Sequence, residues 1–466
     1  MNYLSTRGTQ QGTTFQEAVM AGLAPDGGLY LPESVPSPAS TLEALSGRSF
    51  PEIFNSVVWP YVSGCLSQED LEQLTARSYQ RFTHPEITPV VDIDGIHVCE
   101  LFHGPTYAFK DVALQFLGNL FEHFLARTGR RLTVLGATSG DTGSAAIQAL
   151  RGKDRVEVFI LFPHGRVSPM QELQMTTVAD ANVHALALHG SFDDAQAIVK
   201  DLFNDHGFNG RVGLGAVNSI NWARVMAQIT YFFYAYFRVV DSTGIKLGAP
   251  VRVAVPTGNF GHIYAGLLAR RMGLPIERLI LATNANDILY RFIETGEYSK
   301  STVHHTFSPS MDIQIASNFE RYLYDLSGRD SAQVSAWMKE LGARGSFSVS
   351  GSLKEQVASD FAARRVDDEE TIRTIAGVHG KTGYLLDPHS AIAYRAAQDY
   401  ASDGVPVIAM ATAHPAKFSE AINRAVGRDP ELPDGLAGLA ELPTRVDILE
   451  ATPDAVRSYI EKKLKP

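Results

Sequence analysis

From about residue 90 onward the chain repeats one pattern: an apolar run, a loop of small polar residues, then a helix-like stretch. "RLTVLGATSGDTGSAAIQAL" passes from an apolar run through a Gly/Ser/Thr/Asp loop into an Ala-rich helix, and "VEVFILFPHG" reads as a second buried strand. "VHALALHGSFDDAQAIVKDLF" repeats the arrangement, as does "VRVAVPTGNFGHIYAGLLARRMG" followed by "RLILATNAND"; "VPVIAMATAHPAKFSEAINRAV" does so once more. Strands alternating with helices predict an α/β fold with mainly parallel sheets. Several such units predict a two-lobed core over residues 91–425. In open sheets of this kind ligands collect outside the carboxyl ends of the strands. The loops that carry chemistry all fall at such ends.

Residues 1–90 read as a mostly helical domain with Pro/Gly breaks such as "APDGGLYLPESVPSP". Within it, "SQEDLEQLTARSYQRF" has the Ser cap and early acids of an amphipathic helix. Residues 426–466 read as a helical tail packed on the core. A formal net charge of −10 argues against a nucleic-acid partner, though it leaves room for a local basic pocket. Two cysteines, Cys65 and Cys99, give neither a disulfide framework nor a zinc site, and no metal is expected. The N-terminal stretch lacks the layout of a signal peptide. No apolar run reaches the roughly 20 residues that span a bilayer. A cytoplasmic protein, monomer or homodimer, acting on a small molecule is the expectation.

Lys110 raises the chemical question. In "FHGPTYAFKDVALQFLGNLFEHFL" it stands where a Gly/Pro/Thr loop gives way to an apolar-patterned helix. Cations are disfavoured near a helix N-terminus. Either Lys110 is a solvated surface residue, or its ammonium is destabilised so that it works as a nucleophilic amine. "PTGNFGHIYAG" ends an apolar run in Gly258-Asn259-Phe260-Gly261 and opens a helix, a place where backbone N–H groups can approach a phosphate. It is neither the dinucleotide fingerprint nor a nucleotide P-loop. "GATSGDTGSAA" offers Ser139, Asp141 and Thr142 at a second helix start, with Asp141 also suited to plain capping. "NSINWARVMAQ" supplies Asn218, Ser219, Asn221 and Arg224, and "MATAHPAKF" puts Thr412 beyond the last buried strand with His414 and Lys417 after it. A reactive amine, two anion-friendly loops, an arginine and a strand-end hydroxyl suit a cofactor with an aldehyde and a phosphate. Pyridoxal phosphate is such a cofactor.

The sequence resembles the threonine synthases of the pyridoxal-phosphate fold type II group, the tryptophan synthase β family. The matching pieces run in order through nearly the whole chain: "MNYLSTRG", "FHGPTYAFKD", "TSGDTGSAA", "NSINWAR", "PTGNFG", "DPHSA" and "ATAHPAKF". The N-terminal 90 residues resemble the extension of the longer bacterial and yeast-like enzymes. The resemblance implies a two-lobed fold type II core with a helical N-terminal domain. It implies that Lys110 is the Schiff-base lysine, with Phe109 beside it. Gly258, Asn259, Phe260 and Gly261 would take the cofactor phosphate, Thr412 would meet the ring nitrogen, and Asp141 would stand at the ring. Ser139, Thr142, Ser219, Asn221, Arg224 and Lys417 would bind substrate. The implied reaction turns O-phospho-L-homoserine and water into L-threonine and phosphate by γ-elimination and β-addition. A related phospholyase releasing a 2-keto acid, or a silent ligand-binding protein on the same fold, are the competing readings.

Overall fold

The computed structural model describes residues 1–138 and 140–464. Two parallel sheets carry the two lobes. The larger has six strands in the order Phe361–Arg365, Ile276–Thr283, Val251–Pro256, Val407–Ala411, Ile96–Glu100, Val90–Ile93. All its pairings are parallel except the last, where Val90–Ile93 and Ile96–Glu100 form a hairpin. The smaller sheet runs Asp447–Glu450, Val183–His189, Val156–Pro163, Leu132–Ala137, Leu214–Gly215, all parallel. This matches the expected α/β core.

The C-terminal tail differs from a purely helical one. Asp447–Glu450 adds an edge strand to the smaller sheet, and the helix Pro453–Lys463 then buries Val456 and Ile460 beside Leu186 and Leu202. The strand is short and largely exposed, so it carries no alternation of apolar and polar residues for a sequence reading to detect. The N-terminal segment is less helical than expected: the helices Phe15–Ala21, Leu42–Leu45, Phe50–Val62 and Gln68–Tyr79, the last opened by the expected Ser67 cap, are separated by long stretches without helix. It also holds a small antiparallel pair, Tyr3–Ser5 with Tyr30–Pro32. Both cysteines are free thiols. Among the described residues no helix is long and apolar enough to cross a membrane.

Two helices hold the lobes together. Trp222–Thr243 is buried on nearly every face over Trp222–Phe237 and packs against Phe50–Val62, Lys110–Thr128 and Gly261–Arg271. Lys110–Thr128 is likewise buried all round in its first half, so the single stripe expected from its pattern widens into a core helix. It lies close to the helix Asp141–Leu150, and Gly118 makes that approach possible. A Cβ at Gly118 would stand 2.3 Å from the Ala149 carbonyl oxygen. Gly118→Ala is therefore expected to destabilise the protein by roughly 1–3 kcal/mol through overpacking against backbone, measured by urea unfolding.

Candidate active site

The loop before Lys110 is tied by its own first helical turn. The Asp111 carboxylate accepts from the Thr106 N–H (2.7 Å) and the Thr106 hydroxyl (2.8 Å). Gly104 leaves room for this, since a Cβ there would meet Asp111 Cβ at 2.4 Å. The same loop is laced to the end of the Val407–Ala411 strand. The Phe109 N–H donates to the Thr412 carbonyl (2.8 Å), and the His414 N–H to the Tyr107 carbonyl (3.1 Å). Lys110 and Thr412 are thereby brought to one place, at the carboxyl edge of the larger sheet.

Lys110 is buried, and its Nζ lies 3.3 Å from Asp141 Oδ2 and 3.4 Å from Ser310 Oγ. Burial lowers its pKa; Asp141 opposes the shift, while Lys417 and Arg224 add to it. Of the two readings open at this helix entrance, the geometry excludes a solvated surface lysine, and burial disfavours the charged form of the amine. Asp141, at the first turn of the helix Asp141–Leu150, receives Lys417 Nζ at 2.6 Å and Gln171 Nε2 at 2.8 Å on Oδ1. Burial alone would raise the Asp141 pKa, but Lys417 and Lys110 outweigh it and hold the group well below the usual carboxylate range.

The Gly258–Gly261 loop leads into the helix Gly261–Arg271. Phe260 takes a left-handed conformation, φ 65°, and its ring sinks among Phe319, Tyr322 and Phe361. Its backbone faces the cavity, while its side chain anchors the loop. A Cβ on Gly258 would stand 2.9 Å from the Ser310 carbonyl oxygen. Among the described residues no acceptor meets the N–H groups of Gly258, Asn259 or Phe260. This is the arrangement that favours an anion at a helix N-terminus.

One cavity unites Phe109, Lys110, Asp141, Thr142, Ser219, Arg224, the Gly258–Gly261 loop and Thr412. Arg224 is buried, its Nε has no partner among the described residues, and one terminal nitrogen donates to the Val217 carbonyl (3.2 Å). Among the described residues no carboxylate pairs with it, and burial pulls its pKa down to about 10. A buried cation kept without a counter-ion is costly unless a ligand supplies the charge. Two other sequence candidates are placed elsewhere. Asn221 caps its helix by accepting from the Ala223 N–H (3.1 Å) and donates to the Val19 carbonyl (2.8 Å), so its side chain is spent on holding the N-terminal domain. Lys417 is fully buried between Asp141 and the Thr106 carbonyl (2.8 Å) and does not line the cavity. Ser139 lies outside the described residues.

The cavity also contains residues that the sequence patterns did not single out: His262, Gln228, Ser310, Met311 and His389. His262 stacks on Phe109 at 5.0 Å, and both its ring nitrogens are buried without partners among the described residues. Burial, then Lys110, brings its pKa down to about 3, so the ring is neutral at ordinary pH. Its position just after Gly261 was the available signal. Ser310 and Met311 lie in a single 3-10 turn, Pro309–Met311, too short to leave a periodic pattern.

A buried amine, an open helix N-terminus, a strand-end hydroxyl and orphaned polar atoms fit a phosphorylated aldehyde cofactor. They define a pyridoxal-phosphate enzyme of fold type II. Family models agree: "Pyridoxal-phosphate dependent enzyme" matches residues 82–352, "Threonine synthase N terminus" residues 2–79 and "Threonine synthase, C-terminal" residues 390–460. The threonine synthase of Pseudomonas aeruginosa is 46% identical, aligned over 99% of this chain and 98% of its own length. That of Saccharomyces cerevisiae is 44% identical over 99% and 98%. The crystal structure of pyridoxal-phosphate-bound threonine synthase from Brucella melitensis superposes with a TM-score of 0.95, at 47% identity and with both chains fully covered. The chain belongs to the threonine synthase family.

Gly258→Ala is expected to push the Ser310–Met311 backbone away and weaken pyridoxal phosphate binding by about tenfold or more, a loss of roughly 1.4 kcal/mol. Fluorescence titration of the apoprotein measures it; unchanged affinity would move the anion cradle to another loop.

Proposed function

We propose that the enzyme converts O-phospho-L-homoserine and water to L-threonine and phosphate. One observation carries the reading: the buried amine that lines the cavity, Lys110, shares it with two anion-binding features of different kinds. One is the Gly258–Gly261 helix N-terminus, suited to the phosphate of a cofactor. The other is the unpaired Arg224 guanidinium with Ser219 nearby, suited to the phosphate of a substrate.

In this reading Gly258, Asn259, Phe260 and Gly261 hold the cofactor phosphate through backbone N–H groups, Lys110 takes the aldehyde, Thr412 meets the ring nitrogen, and Phe109 and Asp141 stand beside the ring. Pyridoxal phosphate, when bound, supplies a carbonyl for the amino group and a ring that withdraws electrons from the adjacent carbon. With cofactor and substrate in place, the Lys110 Nζ would be the group beside the reacting carbons that is able to move protons. Its depressed pKa favours the neutral base that removes the Cα proton, and the same amine is placed to take one from Cβ. The Cγ–O bond breaks and phosphate leaves with the bonding electrons toward Arg224. A proton returns to Cγ, the hydroxyl of water adds at Cβ, its proton goes to the departing phosphate or solvent, and Cα is reprotonated. The net change moves hydrogen from Cβ to Cγ and adds water. Thr142 and Ser219 are assigned to substrate, with Ser139 as an expected partner from the sequence. Lys417 acts through Asp141, and Asn221 through the position of its helix.

Adding O-phospho-L-homoserine to the loaded enzyme should release phosphate and threonine one for one; phosphate with a 2-keto acid would replace this reading with the phospholyase. Lys110→Ala should lose the borohydride-reducible adduct and turnover while keeping its fold. Arg224→Ala should keep the cofactor spectrum yet lose about 2–5 kcal/mol in kcat/KM, the usual penalty for truncating a buried charged contact. A fall in kcat would show that the contact tightens as phosphate leaves, whereas a rise in KM alone would mark a ground-state anchor.

A further inference from the structure

The "DPHSA" stretch, Asp387–Ala391, is not accounted for by the roles above. Asp387 caps the helix Pro388–Gln398, accepting from the backbone N–H groups of His389 (2.9 Å) and Ser390 (3.2 Å). Asp before Pro at a helix start is ordinary capping. Two features go beyond a cap. Asp387 has no exposed surface at all, and its carboxylate also takes two side chains, His389 Nδ1 at 2.8 Å and the Ser390 hydroxyl.

Each of those side chains has a second partner, and each partner is a wall of the active site. His389 Nε2 accepts from the Ser310 N–H at 3.2 Å. That bond requires Nε2 to be unprotonated, which places the ring proton on Nδ1, facing Asp387. Ser310 in turn presents Oγ to Lys110 Nζ at 3.4 Å and its carbonyl to Gly258. The Ser390 hydroxyl, donating to Asp387, accepts from the Thr412 N–H at 2.9 Å. Thr412 also holds Phe109, the residue before Lys110, through its carbonyl.

We propose that Asp387 is a positioning residue for this site. Through His389 it fixes the Ser310–Met311 segment beneath the Gly258 loop, and through Ser390 it fixes Thr412, so both walls hold their distance from Lys110. The proposal rests on the functional reading above and adds to it the element that sets the site's geometry. A change at His389 should not unfold the segment, because it has its own anchor. Asp312 accepts from the Thr306 N–H (2.9 Å) and from Asn284 Nδ2 (2.8 Å) whether or not His389 is present.

The test uses the full chain with pyridoxal phosphate and compares His389→Asn, His389→Gln and Ser390→Ala. Asn keeps an amide donor near Asp387 but is too short to accept from the Ser310 N–H; Gln can accept there. Apoprotein titrated with pyridoxal phosphate should show affinity reduced roughly tenfold in His389→Asn, the loss of about one buried hydrogen bond, and largely regained in His389→Gln. The thermal midpoints of the two apoproteins should agree. Ser390→Ala should shift the absorbance band of the bound cofactor, because Thr412 is no longer held, and should lower kcat more than it raises KM. Equal cofactor affinity in the Asn and Gln variants, with the wild-type band in Ser390→Ala, would overturn the proposal and leave the functional reading standing. A wild-type chain that takes up no pyridoxal phosphate would bring down both. If His389→Asn does not fold, the Ser390→Ala band decides: shifted supports the proposal, unshifted rejects it.

Discussion

Two ammonium groups converge on one buried carboxylate, and much of the site depends on that arrangement. Asp141 receives Lys417 on one oxygen and Lys110 on the other. Two lysines so close in an apolar interior repel each other, and the carboxylate compensates one full charge. Burial and the nearby Lys417 lower the Lys110 pKa, and Lys417 itself is also held by the Thr106 carbonyl. Lys417 is thus tied on both sides, while Lys110 keeps one face toward the cavity. The carboxylate belongs to the smaller lobe and both lysines to loops laced to the larger sheet, so the ion pair also sets the spacing across the cleft.

The fold explains why these groups meet. Parallel strands bring their carboxyl ends to one edge. Pro256 ends one strand and delivers the Gly258 loop; Ala411 ends the adjacent one and delivers Thr412. The Lys110 loop follows the next strand over and is hydrogen-bonded to Thr412. Three chain segments far apart in sequence are held together by backbone bonds, whose geometry tolerates little drift. Side chains of ordinary type are thereby gathered around one cavity.

How much of this was legible follows from range. Lys110 and the Gly258–Gly261 loop could be read because their signals are local: a cation at the wrong end of a helix, glycines where backbone must approach a ligand. The alternation of strand and helix likewise predicted the parallel core. The partnership of Lys417 with Asp141 could not be read, because one ends a 3-10 turn, the other opens a helix far away in sequence, and nothing near either residue marks the other. Asn221 misled for the opposite reason. An asparagine beside an arginine in a polar loop suits anion binding as well as capping, and only the fold shows that its amide is used on Val19. His389 and Ser310 were invisible for want of any local pattern, although the motif containing His389 was conspicuous. The edge strand Asp447–Glu450 left no periodicity because hardly any of it is buried.

The contrast between Asn221 and Arg224 has a structural consequence. They lie three residues apart, one helical turn, on the helix Trp222–Thr243 and its cap. Asn221 binds the backbone of the N-terminal domain, and Trp222 packs between Tyr3 and Tyr61 of that domain at 6.0 and 5.8 Å. Arg321 lies over Trp222 and donates to the Tyr30 carbonyl at 3.0 Å, adding a second tie to the same domain. One turn further along, Arg224 faces the cavity with its charge unpaired. A helix turn is stiff, so the N-terminal domain determines where the Arg224 turn begins, although none of that domain's residues reaches the cavity. That domain therefore belongs to the geometry of the cavity wall that carries Arg224 rather than standing apart from it, which gives a physical reason for its burying Tyr3, Phe15 and Tyr61 so completely in the common core.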